Sequence, residues 1–152
     1  METVHDFEDL LELLDRHGAR YLIVGGLAFI YHAKPRYTKD MDLWVDEQPD
    51  NVHRVNLALT DFGSPQLLDV ENPDEILQLG AAPNRIDLIR SVIELDFDET
   101  WGKRIEGRYG RARAMWIDLE SLIAIKSGID HPRHQEDARI LRLIRDGIET
   151  EE

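Results

Sequence analysis

The stretch RYTKDMDLWVD, residues 36–46, decides how this chain is read. Met41, Leu43 and Val45 alternate with polar positions, as in a β-strand that buries one side. Residues two apart in a strand project from the same face, about 6.6 Å apart, so Asp40 and Asp42 share a common space on the other side. Two like charges at that separation repel. In a partly buried site the repulsion is costly unless a cation neutralises the pair or one member takes a proton. Carboxylates are hard oxygen ligands, and Mg²⁺ at phosphoryl-transfer sites takes one or two of them together with substrate phosphates and water.

Two further features extend this reading. Two-metal chemistry calls for a third carboxylate, and Asp87 interrupts a second apolar run, RIDLI (85–89), between Ile86 and Leu88. Upstream, Gly25 and Gly26 follow the apolar run YLIV and precede LAFIYHA. Lacking a Cβ, they let backbone N–H groups approach a phosphate at a helix N-terminus. Each feature alone has a plain structural explanation, as strand-edge solvation for the aspartates and as a tight turn for the glycines. Together with Arg36 and Thr38 they describe a triphosphate bridging a glycine turn and a metal. Lys126, Arg36 or Lys39 can supply fixed positive charge, with a solvated helix face as the alternative for Lys126. Trp44 shares the strand face of the aspartates and lines either a pocket or the core. His32 stands near the motif, either within reach of the site or bonded locally. Six histidines without an HExxH spacing give no support to a zinc hydrolase.

The bulk properties narrow the class. A length of 152 residues with 42% hydrophobic content suits one domain, 1–152, around one core. The absence of cysteine removes disulfides, thiolate metal sites and a cysteine nucleophile, and points to a reducing cytoplasm. No run approaches the roughly 20 apolar residues of a membrane span, and the N-terminal stretch lacks the pattern of a signal peptide. A net charge of -13 opposes broad adhesion to nucleic acid or anionic membranes. One basic run, KRIEGRYGRAR (103–113), is read as a solvated hairpin surface, with a nucleic-acid patch as the rival.

Periodicity predicts a helix over 4–17, a strand at YLIV, a helix ended by Lys34-Pro35, a strand at DMDLWV and a helix from Pro49 to about Asp61. EILQL and RIDLIRSV read as strands about the turn GAAPN, forming a hairpin. A short helix near 98–104 and a strand pair over 104–116 turning at Gly110 follow. Asp118 caps the next helix and a last helix covers about 133–147. The order α-β-α-β-α-β-β-α-β-β-α-α describes one α+β (α/β-like) domain.

The run VGGLAFIYHAKPRYTKDMDLWV, followed by RIDLIRSV, resembles the signature of the DNA polymerase β-type nucleotidyltransferase superfamily. The similarity is to its small prokaryotic branch of minimal nucleotidyltransferases and abortive-infection and MenT-type toxins. The resemblance implies a nucleotidyltransferase fold, a mixed β-sheet flanked by helices with a short C-terminal helical segment (about 118–147) packing on the same core. It also implies transfer of a nucleoside monophosphate from a nucleoside triphosphate such as ATP, dependent on Mg²⁺ or Mn²⁺. On that resemblance Gly25 and Gly26 contact the triphosphate, Asp40, Asp42 and Asp87 hold metal, and Asp87 helps activate the acceptor hydroxyl. Lys126 and Asp137, in the C-terminal helices, match positions that approach the nucleotide. Gly26 stands where many relatives have serine. Acceptors open at this point are tRNA, a protein hydroxyl or a small molecule such as an aminoglycoside, and a toxin–antitoxin role would add an antitoxin-like protein partner. Two rivals stand beside this reading: a catalytically inactive module of the same fold that recruits a partner protein, and a metal-dependent phosphoesterase.

Overall fold

The computed structural model describes residues 2–80, 84–92 and 95–148. Its elements run α1 (His5–Arg16), β1 (Tyr21–Val24), α2 (Gly25–His32), β2 (Asp40–Val45), α3 (Pro49–Phe62), β3 (Leu77–Leu79), β4 (Arg85–Ile89), α4 (Phe97–Gly102), β5 (Ile105–Tyr109), β6 (Ala112–Trp116), α5 (Leu119–Ser127) and α6 (Pro132–Arg145). This is the expected order. The fold is α+β, a mixed sheet of six strands in the order β3-β4-β2-β1-β6-β5 with helices around it. β2 pairs antiparallel with β1 and parallel with β4, and β1 pairs parallel with β6.

The buried pattern explains the assembly. Phe7, Leu10, Leu11 and Leu14 form the apolar stripe of α1, which packs against α3 through the region of Val52, Val55 and Leu59. Met41, Leu43 and Val45 are fully buried from the central strand β2. Pro49 opens α3 in its first turn, where a missing N–H costs nothing. Asp118 caps α5 by accepting a hydrogen bond from the Ser121 amide at 3.1 Å. α5 and α6 pack on each other and on α2, bringing the C-terminal helices to the start of β2.

Some boundaries differ from the pattern-based expectation. β3 covers Leu77–Leu79 of EILQL, with Ile76 exposed. β4 ends at Ile89, because the buried Arg90 turns out of the ladder to donate to the carbonyls of Asp69 (2.5 Å) and Asn72 (2.6 Å). β3 and β4 pair antiparallel as a hairpin should, but residues 81–83 of its turn lie outside the described residues.

The basic run forms the β5–β6 hairpin with its turn at Gly110. Its charges meet acids within the molecule. Arg111 contacts Glu8, Asp9 and Glu12 of α1, and Arg113 reaches Asp15 and Glu106. Among the described residues no helix is long and apolar enough to cross a membrane.

One buried polar side chain stitches the layers together. Asn51, in the first turn of α3, accepts from the Arg20 amide (2.7 Å) and donates to the carbonyls of Arg20 (3.0 Å) and Asp46 (2.9 Å). These are backbone groups at the entry to β1 and the exit from β2. Asn51→Leu removes the side-chain partner of the Arg20 amide and the Asp46 carbonyl, while the Arg20 carbonyl keeps the Asp46 amide at 3.3 Å. Each unsatisfied buried group costs about 1–3 kcal/mol. A loss of roughly 2 kcal/mol or more is expected in urea unfolding, and a change within about 0.5 kcal/mol contradicts this account.

Candidate active site

The pairing register builds the site. Across β1, β2 and β4 the aligned residues are Val24, Asp42 and Asp87, while Asp40 aligns with Arg85. Aligned positions on neighbouring strands lie about 4.8 Å apart and point to one face. The three aspartates predicted from sequence therefore share one face of the sheet.

The glycine turn lies directly on this group. α2 starts at Gly25, immediately after β1, and Gly25 has φ +68. A Cβ at that position would stand 2.1 Å from Asp42 Oδ2, so both the backbone conformation and the contact require glycine. A Cβ on Gly26 would stand 2.8 Å from Thr38 Oγ1. Val24, the N-cap, offers no side-chain acceptor, which leaves the first amides of α2 without a side-chain cap beside the carboxylates. Thr38 also donates a long hydrogen bond of 3.5 Å to the Asp40 carbonyl.

The electrostatics are those of crowded acids. Burial, then the neighbouring Asp87 and Asp40 charges, push the Asp42 carboxyl up from an ordinary 3.8 to about 6, with Arg85 and Lys126 pulling the other way. Arg85 is the counterion that sequence reasoning missed. Its Nε donates to Asp87 Oδ1 at 2.9 Å, and its Nη2 donates to Asp87 Oδ2 at 3.1 Å and to Asp40 Oδ2 at 3.3 Å. The alternation that unites Asp40 with Asp42 also puts Arg85 on the face of Asp87, so the signal was present in RID.

Among the described residues, no three acidic or imidazole side chains converge into a closed metal-ligand set. The Arg85 guanidinium stands between Asp40 and Asp87 and does part of the neutralising. Carboxylates are the hard oxygen donors that a divalent ion takes, and the three share one face of the sheet, with Arg85 bridging Asp40 and Asp87.

The other predicted residues gather beside this group. Asp137, buried in α6, accepts from Arg36 Nη1 (3.0 Å) and Nη2 (2.5 Å) and from Lys126 Nζ (3.0 Å). Burial alone would raise the Asp137 carboxyl, but hydrogen bonds from Arg36 and Lys126 hold it below the usual range. Lys126, buried in α5, also meets His134 Nδ1 at 3.3 Å. Arg36 stacks over the Phe29 ring with Cζ 3.8 Å from its centre. These three residues clasp the segment between α2 and β2 to the C-terminal helices. Lys39 is exposed, and its carbonyl accepts from the Arg85 amide at 3.2 Å. Trp44 lies in the core, edge-on to Phe97, and His32 bonds the Ile117 carbonyl at 2.7 Å.

No protein-family model and no curated protein matches the sequence. Solved structures do match. The lincosamide antibiotic adenylyltransferase LnuA, bound to lincomycin, aligns over 95% of this chain and 99% of its own, with a TM-score of 0.58 and 17% identity. ANT(2″)-Ia, in complex with adenylyl-2″-tobramycin, aligns over 93% of each chain, with a TM-score of 0.56 and 14% identity. The fold is that of the nucleotidyltransferases. At such identities the likeness concerns the fold, and the chemistry of this chain rests on its own residues.

The raised Asp42 makes a signed prediction about stability. Between pH 3.8 and about 6 the folded protein binds more protons at Asp42 than the unfolded chain does, so stability falls as pH rises through that window. Asp42→Asn is expected to melt higher than the parent above pH 6. Each kcal/mol corresponds to about 2–4 °C for a chain of this size. The gap should close below pH 3.8. A variant that melts no higher than the parent at neutral pH without metal contradicts the crowding of the three acids.

Gly25→Ala and Gly26→Ala should differ in a defined way. The first meets a carboxylate held by the sheet and a left-handed φ, and should lose at least about 1–3 kcal/mol. The second meets a threonine hydroxyl that can rotate, and should lose less. Thermal unfolding of both variants reads the order directly.

Proposed function

We propose that this protein is a nucleotidyltransferase that moves a nucleoside monophosphate from a nucleoside triphosphate to a hydroxyl of a small molecule. The observation that carries the proposal is the close approach of Gly25 to Asp42, because it sets the uncapped N-terminus of α2 against the carboxylate face. The fold shared with LnuA and ANT(2″)-Ia supports it, as does the sequence resemblance to polymerase β-type nucleotidyltransferases. The site is assigned within one domain spanning 1–152.

Each residue has a role in this reading. The first amides of α2, at Gly25 and Gly26, bind the triphosphate oxygens with the favourable end of the helix dipole. Asp40, Asp42 and Asp87 would hold Mg²⁺ or Mn²⁺, which supplies positive charge to the triphosphate and acidity to the acceptor hydroxyl when bound. Asp87 orients that hydroxyl and receives its proton as the oxygen bonds to the α-phosphorus and pyrophosphate departs. Lys126 contributes a fixed positive charge that already acts on Asp42, and Asp137 and Arg36 fix its position. Thr38 lines the turn opposite Gly26, and Lys39 lies exposed beside it.

Two observations favour a small acceptor over tRNA. The solved relatives carry lincomycin and an adenylylated tobramycin. Three arginines of the basic run, Arg104, Arg111 and Arg113, are engaged with acids of α1 and β5, which leaves Arg108 without an acidic partner among the described residues. The inactive-module reading has one observation in its favour, namely that Arg85 bridges Asp40 and Asp87 where an ion would be neutralised.

The test is incubation of the protein with each labelled nucleoside triphosphate and Mg²⁺ or Mn²⁺. The acceptor panel comprises hydroxylated antibiotics, tRNA and protein. Pyrophosphate release with label on a small molecule is expected, with kcat/KM lowered about 10²–10³-fold or more in Asp42→Asn. Nucleotide binding without turnover across the panel would establish the inactive module instead, and release of inorganic phosphate would establish a hydrolase.

A further inference from the structure

α6 presents two side chains to the buried Lys126 ammonium. His134 and Asp137 stand three positions apart on that helix, which puts them on one of its faces. Lys126 Nζ donates to Asp137 Oδ2 at 3.0 Å and meets His134 Nδ1 at 3.3 Å. An ammonium only donates, so this contact requires a lone pair on Nδ1 and puts the ring proton of His134 on Nε2.

The surroundings keep that ring neutral. Burial first, then the Lys126 charge, pull the His134 imidazole below its ordinary 6.5, with His131 and Arg133 acting in the same direction and Asp137 opposing them. His131, the N-cap of α6, stands edge-on to His134 with ring centres 5.7 Å apart and accepts from the Arg133 amide at 3.1 Å, which holds the first turn. Asp137 has other commitments, since both its oxygens also accept from Arg36, at 3.0 and 2.5 Å. One hydrogen bond leaves an ammonium on a flexible four-carbon stem free to pivot. A second acceptor on the same helix face removes that freedom.

We propose that His134 is a positioning residue: its neutral imidazole, together with Asp137, fixes the Lys126 ammonium at the place from which its charge acts on the carboxylate face. It works through Lys126, whose field already favours the ionised form of Asp42. Protonation reverses the arrangement. A protonated Nδ1 no longer accepts, and the imidazolium then stands against a second cation. The charged and titratable groups around it are Lys126 of α5, Asp137 and Arg133 of α6 and His131 at the N-cap, and the one acid among them is already shared by Arg36 and Lys126. The consequence for catalysis rests on the nucleotidyltransferase reading, and the contact itself does not.

The test compares His134→Asn with His134→Phe in the intact protein. Asparagine offers an oxygen acceptor in place of Nδ1 and does not titrate, while phenylalanine keeps a ring and deletes the acceptor. Pyrophosphate release is followed with Mg²⁺ and the nucleoside triphosphate that the parent uses fastest. At neutral pH, kcat/KM should fall about tenfold in His134→Phe and stay within about threefold of the parent in His134→Asn. A packing role gives the opposite order, because phenylalanine fills the space of the imidazole. The ratio of parent to His134→Asn activity should fall as pH drops below 6.5, since every other titrating group is common to both proteins. Nitrogen NMR of the parent should find the His134 proton on Nε2, and the Lys126 ammonium should resist exchange in the parent and in His134→Asn but not in His134→Phe. The proposal is overturned if His134→Phe is as active as His134→Asn, if the ratio is flat with pH, or if the proton sits on Nδ1. A parent without transfer activity but with this NMR pattern refutes the nucleotidyltransferase reading and upholds the hold of His134 on Lys126.

Discussion

Everything at this site follows from the parallel register of β2 on β4. It sets Asp42 opposite Asp87 and Asp40 opposite Arg85, which brings like charges within one strand spacing of each other. A slip of one residue would exchange the two faces of β2 and take the aspartates away. The opposite face prevents that slip, because Met41, Leu43, Val45, Ile86 and Leu88 are all buried there. Each such side chain contributes about 1.5–3 kcal/mol on burial. The rise of Asp42 to about 6, from burial first and the neighbouring acids second, corresponds to roughly 3 kcal/mol of unfavourable free energy. The core therefore outweighs the repulsion several-fold, and a compact fold can hold acids together that would otherwise separate.

The second constraint is the clasp of Arg36, Lys126 and Asp137. It joins the segment before β2 to α5 and α6, three parts of the chain far apart in sequence. Lys126 is buried, and burying a charged side chain without a partner is costly. Asp137 meets both cations and stays ionised in doing so. The charge of Lys126 is thereby kept where its field still reaches Asp42. Positioning of the Thr38 segment and delivery of positive charge are consequences of one buried ion cluster.

The sequence made most of the fold legible because the signals were local. Alternation in DMDLWV and RIDLI, the helical stripe of Phe7 to Leu14 and the Asp118 cap each depend on neighbours within a few residues. The shorter β3 and β4 were not legible, because Arg90 leaves the strand for carbonyls of Asp69 and Asn72, some twenty residues away. Asn51 was invisible for the same reason, since its three partners lie in other elements. The grouping of Asp40, Asp42 and Asp87 could be anticipated, while their shared counterion Arg85 and the burial of Asp137 depended on register and helix packing. Tryptophan has two plausible roles on any strand face, and it took the packing of Phe97 to place Trp44 in the core.

The low identity to LnuA and ANT(2″)-Ia, 17% and 14%, is what these constraints lead one to expect. The fold requires apolar residues at alternating positions of its central strands, and many sequences meet that requirement equally well. The site requires far less freedom at far fewer places. Glycine at 25 is demanded by a positive φ and by a carboxylate 2.1 Å from any Cβ, and acids at 42 and 87 make sense where a cation is to be held. A chain selected for packing alone would replace Asp42 with a residue that does not repel its neighbours and would gain stability by doing so. Retaining an acid at the position where it is most costly to ionise is the physical reason to read this face as a site of chemistry.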